Sequence, residues 1–148
     1  MKTLRLLLGD QLNSQHSWFN EVNPDVTYIM AEMRQETDYV KHHIQKVVAF
    51  FLSMRNFSEE LIHKGHQVIY YKISDTHNPH NLEHLILDLV EENKIEHFEY
   101  QFPDEYRLDE QLKSICKNFP SRQKQLIPNI FILLEMNWLI FSKAKSNF

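Results

Sequence analysis

The side chains best placed to do chemistry in this sequence are Asp10, Glu36 and Tyr39. Asp10 sits in Gly9-Asp10-Gln11-Leu12, directly after a short apolar run, Leu4 to Leu8. Glu36 and Tyr39 sit in the polar stretch Glu32 to Tyr39, directly after a second run, Val26 to Ala31. If both runs are strands of a parallel sheet, both stretches lie beyond strand carboxyl ends, where open α/β sheets bind ligands. Two carboxylates and one flat ring at the mouth of a crevice suit a heteroaromatic ligand with polar edges. The same acids would also serve as helix caps, and spacing alone favours that plainer use.

Other chemistries find less support. Nine histidines raise the question of a metal, and His80 and His84 stand four apart in a predicted helix, as zinc ligands can. No HExxH accompanies them and no cysteine pair, so the expectation is no metal site. Cys116 is the single cysteine; it falls on an apolar helical stripe and is expected to be a core thiol. One thiol cannot hold an iron–sulfur cluster, which takes about four. A hydrolase triad is disfavoured by the lack of a G-x-S-x-G elbow. With only 2 glycines in the chain, neither a P-loop nor a GxGxxG phosphate cradle can form.

The elements that must position these residues alternate. Leu4–Leu8 and Val26–Ala31 read as strands one and two. Val40, Ile44, Val47, Val48, Phe51, Met54, Leu61 and Ile62 then recur at three- and four-residue spacing, the stripe of a long helix. Thr37 or Asp38 would cap its start, and Gly65 sits where a left-handed residue ends a helix. Val68–Tyr71 is a third strand. Asn78-Pro79 reads as an N-cap and N1 pair opening a helix with Leu82, Leu85, Ile86, Leu89 and Val90. Phe98, Tyr100 and Phe102 alternate as a fourth strand would, and Asp109 is expected to cap a third helix carrying Leu112, Ile115, Cys116 and Phe119. The pattern predicts an α/β fold with a doubly wound, Rossmann-like parallel sheet. Ile130–Leu134 would suit a fifth strand, but Met136–Phe148 holds a block of apolar residues with no amphipathic period.

Bulk properties set limits. The 148 residues suffice for one hydrophobic core, and a net charge of −4 argues against electrostatic binding of nucleic acid by this domain itself. The start lacks a signal peptide's apolar region, no run approaches the roughly 20 apolar residues of a membrane span, and the lone cysteine fits a reducing compartment. The expectation is a cytoplasmic domain without a membrane partner.

Four blocks in order carry a resemblance: LLLGDQL at 6–12, AEMRQETDYVKHH at 31–43, MRNFSEEL at 54–61 and FPDEYRLDEQL at 102–112. They resemble the photolyase/cryptochrome-related family that includes iron–sulfur bacterial cryptochromes and photolyases. The resemblance implies that residues 1–120 form an N-terminal antenna domain. In that family such a domain holds a small chromophore, 6,7-dimethyl-8-ribityllumazine in characterised members, here with Asp10, Glu36 and Tyr39 as its contacts. A larger helical domain holds FAD and a 4Fe-4S cluster and meets DNA; the resemblance implies that it is missing here, so that this chain would be truncated and inactive in light-driven repair. Reading Met136–Phe148 one frame over gives a string resembling the family's RNE…FF…GKK segment, so residues 121–148 are read as an aberrant, frameshifted tail, a divergent tail packed on the sheet being the alternative. A stand-alone nucleotide- or flavin-type binding module without catalysis is the competing function, and a degenerate fragment without ligand a third.

Overall fold

The computed structural model describes residues 1–34 and 44–118. Within them the chain runs β1 (Thr3–Leu6), a 3₁₀ turn (Ser17–Phe19), β2 (Val26–Ala31), α1 (Ile44–His63), β3 (Gln67–Tyr71), α2 (Leu82–Asn93), β4 (His97–Tyr100) and α3 (Tyr106–Asn118). The strands pair in parallel in the order β3-β2-β1-β4. The α/β Rossmann-like expectation holds. Parallel pairing needs long crossovers, supplied by α1 between β2 and β3, by α2 between β3 and β4, and by the irregular chain with its 3₁₀ turn between β1 and β2.

Period-two alternation sorts the strand side chains onto two faces. Leu4, Leu6, Ile29, Phe98 and Tyr100 point to the face covered by Leu85, Ile86 and Leu89 of α2 and Leu112 and Ile115 of α3. Leu7, Tyr28 and Met30 point to the other face, under Phe51, Met54, Phe57 and Leu61 of α1. Ile86 and Met54 are both wholly buried, and truncating either to Ala would cost about 2–5 kcal/mol.

The ends of the elements differ from expectation in instructive places. Gly65 takes the left-handed φ of 94° that ends α1, as its position suggests. The cap of α2 is Asn81, whose side chain accepts from the His84 N–H, and not Asn78. Asn78 is buried and holds the backbone instead, donating to the carbonyls of Glu32 (2.9 Å) and Lys72 (3.0 Å). Asp109 does not cap α3, which starts at Tyr106; it lies in the first turn and pairs with Lys113 at 2.6 Å. β4 stops at Tyr100, leaving Phe102 exposed beyond the strand. His80 precedes α2 with a φ of 51°, so it does not share a helix face with His84. The expected helix caps Thr37 and Asp38, and the segment 121–148, lie outside the described residues.

Candidate functional site

A parallel sheet opens a crevice where successive crossovers leave in opposite directions. From β1 the chain steps to β2 and β3 on one side, and β4 then pairs with the opposite edge of β1. The switch point therefore falls between β1 and β4. The loop after β1, residues 7–12, lies at its mouth.

Gln11 builds that mouth. Its backbone N–H donates to the Leu8 carbonyl at 3.0 Å, and its side-chain oxygen accepts from the Leu8 N–H at 3.3 Å. Its amide nitrogen reaches across the switch point to the carbonyls of Gln101 and Phe102, both at 3.2 Å. One side chain thus closes the turn after β1 and ties it to the chain leaving β4. Asp10 is exposed on this turn, its carboxylate free to meet solvent or a ligand's N–H edge. Gly9 leaves room for a neighbour: a Cβ there would overlap the Cζ of Phe50 on α1 and lie 2.7 and 2.9 Å from its two Cε atoms, so the Phe50 ring would have to shift. Gln101, just past β4, has a buried amide nitrogen with no hydrogen-bond partner among the described residues. A water or a ligand acceptor would satisfy such a donor.

The carboxyl end of β2 carries a different device. Glu32 has no exposed side-chain surface, yet its carboxylate accepts from Arg55 Nε (2.6 Å), Arg55 Nη2 (2.9 Å), the Tyr70 hydroxyl (2.7 Å) and the Ile73 N–H (2.9 Å). Burial pushes this carboxyl up, but those donors outweigh it and hold the group below the usual carboxylate range. The Tyr70 hydroxyl is pushed up, first by burial and then by Glu32. Three sequence-distant pieces (the end of β2, α1, and β3 with the chain directly after it) meet on one carboxylate. Glu32 follows strand two in the sequence but carries no mark of its burial there, so residue types and spacing do not single it out.

Of the three site residues expected from the sequence, Asp10 lies at the switch point, whereas Glu36 and Tyr39 lie outside the described residues. The Glu32 cluster fixes the end of β2 from which the chain continues towards them. Among the described residues no group of three or more His, Cys, Asp or Glu is arranged to hold a metal ion. Cys116 is half-buried beside the α2–α3 core, and burial pushes its thiol up to about 11. No helix among the described residues is long and apolar enough to cross a membrane.

A family model described as deoxyribodipyrimidine photo-lyase-related protein matches residues 5–147. The chain belongs to the photolyase-related family. The match extends through the segment read above as frameshifted. A (6-4) photolyase of Agrobacterium fabrum (strain C58) is 38% identical over 79 residues, which are 53% of this chain and 16% of that relative. This photolyase-related chain thus aligns with about one sixth of the relative's length.

Two cofactor questions follow for a photolyase-related chain. A lumazine offers a flat ring with donors and acceptors on its edges, and the loops at the switch point carry an acceptor at Asp10 and an amide donor at Gln101. The residues fit. A four-iron cluster does not fit these 148 residues, which contain one cysteine.

Proposed function

We propose that this chain is the antenna-chromophore domain of a photolyase- or cryptochrome-like flavoprotein, binding a ribityl-lumazine such as 6,7-dimethyl-8-ribityllumazine. The observation that carries the reading is the switch point between β1 and β4. The loops that leave the carboxyl ends of these two strands carry Asp10 and the Gln101 amide, in a chain of this family, and that supports the reading. When bound, such a chromophore would harvest near-ultraviolet light and pass its excitation to a flavin.

The chain's own residues do the holding. Asp10 would accept from a ring N–H and Gln101 would donate to a ring carbonyl. Glu36 and Tyr39 would contribute from the chain after β2, as the family resemblance suggests. Gln11 keeps the two walls at a fixed separation, and Glu32 keeps the end of β2 in register. FAD, the iron–sulfur cluster and DNA are proposed to be bound by residues outside these 148, which therefore carry no light-driven repair by themselves. The single cysteine and the net charge of −4 both support that division.

The test is a fluorescence titration of the purified chain with 6,7-dimethyl-8-ribityllumazine. Saturable binding is expected, weakened at least about tenfold by Asp10→Ala or Glu36→Ala, the equivalent of one charge-assisted hydrogen bond. Binding that neither substitution changes would put the ligand elsewhere and overturn the placement.

A further inference from the structure

One side chain at the switch point does more than line it. Phe50 lies on α1, one position before the core residue Phe51, and its ring is only half-buried. The atoms nearest a Cβ built at Gly9 are its Cζ and both Cε atoms, so the ring points tip-first at the Gly9 backbone. Phe50 packs only against the margin of the core beneath α1, where Phe51, Met54, Phe57 and Leu61 are the buried members. Its ring instead stands over the glycine that lets the loop after β1 pass close beneath the helix. A flat heteroaromatic ligand approaching Asp10 along the carboxyl ends of the strands needs this same space over Gly9.

We propose that Phe50 is a self-plug of the crevice, and that a flat ligand binds only by swinging its ring aside. The inference rests on the crevice being the ligand site. Three features make the plug movable. The contacting atoms are the far end of a side chain with two rotatable bonds, so the ring can leave without moving α1. Phe50 as a residue is only partly buried, so the surrounding packing does not enclose it. The adjacent ring of Phe51, 5.9 Å away between centroids, is anchored in the core and stays as a fixed backstop. The plug makes the site selective: only a ligand that replaces the ring's apolar contacts and also reaches the polar groups at Asp10 and Gln101 compensates for displacing it. A ligand that brings only a polar edge does not.

The experiment is the lumazine titration repeated on Phe50→Ala, with Phe50→Leu as a second variant that keeps apolar bulk, each checked for a cooperative unfolding transition. Phe50→Ala is expected to bind at least about tenfold more tightly than the parent chain and Phe50→Leu to fall between, since re-exposing part of a phenyl ring is a cost of that order. Detectable binding in Phe50→Ala where the parent shows none would support the plug equally. Equal affinities in parent and variants would overturn the plug while leaving the crevice reading intact. Weaker binding in both variants would overturn it too, showing that Phe50 is a wall the ligand leans on. Absence of saturable binding in all three folded proteins would overturn the crevice reading and the plug with it.

Discussion

Replacing Arg55 by Leu isolates the contribution of the Glu32 cluster. The carboxylate of Glu32 is fully buried and would lose two of its four donors, keeping the Tyr70 hydroxyl at 2.7 Å and the Ile73 N–H at 2.9 Å. Removing one member of a buried pair costs about 3–5 kcal/mol, because the remaining charge is left in a poorly solvating place. Arg55 is itself 37% exposed, so part of its field is already screened, and about 2–4 kcal/mol is the expected loss at pH 7. For a chain of this size that lowers the melting temperature by about 10 °C. The pH dependence is diagnostic. In the parent, the carboxyl lies below 4.5, so its contribution is complete above about 4.5 and is lost as pH falls through the folded value. In Arg55→Leu burial dominates and raises the carboxyl above its unfolded value, so the variant's deficit is largest at neutral pH and shrinks with acid. Urea unfolding at pH 7 and pH 4 should therefore show the two stabilities converging. Replacing Glu32 and Arg55 together by Leu should recover most of the loss, since the uncompensated charge is then gone. A single-variant loss below about 0.5 kcal/mol at pH 7, within the range of neutral surface changes, would refute the reasoning, as would a gap that persists unchanged at pH 4.

Three further outcomes follow from the same structure. His66 is buried between the rings of Phe19 and Tyr28, and burial pushes its imidazole below 6.5; its stabilising neutral form is complete above about 6.5 and lost as pH falls through the folded value. His66→Phe should flatten the stability slope between pH 7 and 5, and an unchanged slope would show that another group sets it. Gln11→Ala removes three side-chain hydrogen bonds, one within the turn after β1 and two that join it to the chain leaving β4; unfolding should register a loss of about 1–2 kcal/mol, with lumazine affinity falling alongside. The Cys116 thiol, raised to about 11 by burial, should react with a disulfide reagent at pH 8 on the order of a hundredfold more slowly than an unperturbed cysteine, whereas free-thiol rates would show that it is accessible.

The alternating strands and helices are legible in the sequence because each is a local pattern. Leu4 and Leu6, or Met54 and Leu61, declare a period that burial alone explains, and Gly65 declares its left-handed turn. The site is legible only where the chain's order reveals it. Asp10 follows strand one at once, so its place at a carboxyl end can be read directly. Its position at the switch point needs β4 to pair with β1, a contact between residues 94 apart, as in Arg5 and Glu99. Glu32 is hidden for the same reason: its partners Arg55, Tyr70 and Ile73 lie 23, 38 and 41 residues away, and nothing local marks a glutamate as buried. Asn78 misleads because Asn-Pro is a good cap signal, yet its amide is used to hold Glu32 and Lys72. His80 misleads because helical spacing to His84 means nothing once the backbone before α2 turns left-handed.

The central claim, that the crevice between β1 and β4 takes an antenna chromophore, is tested most directly by titrating the 148-residue chain and its Phe50→Ala variant with 6,7-dimethyl-8-ribityllumazine and following the ligand's fluorescence. Saturable binding in both forms, tighter in the variant and weakened at least about tenfold when Asp10→Ala is added, is the predicted result. Folded protein that leaves the fluorescence unchanged in both forms would contradict it.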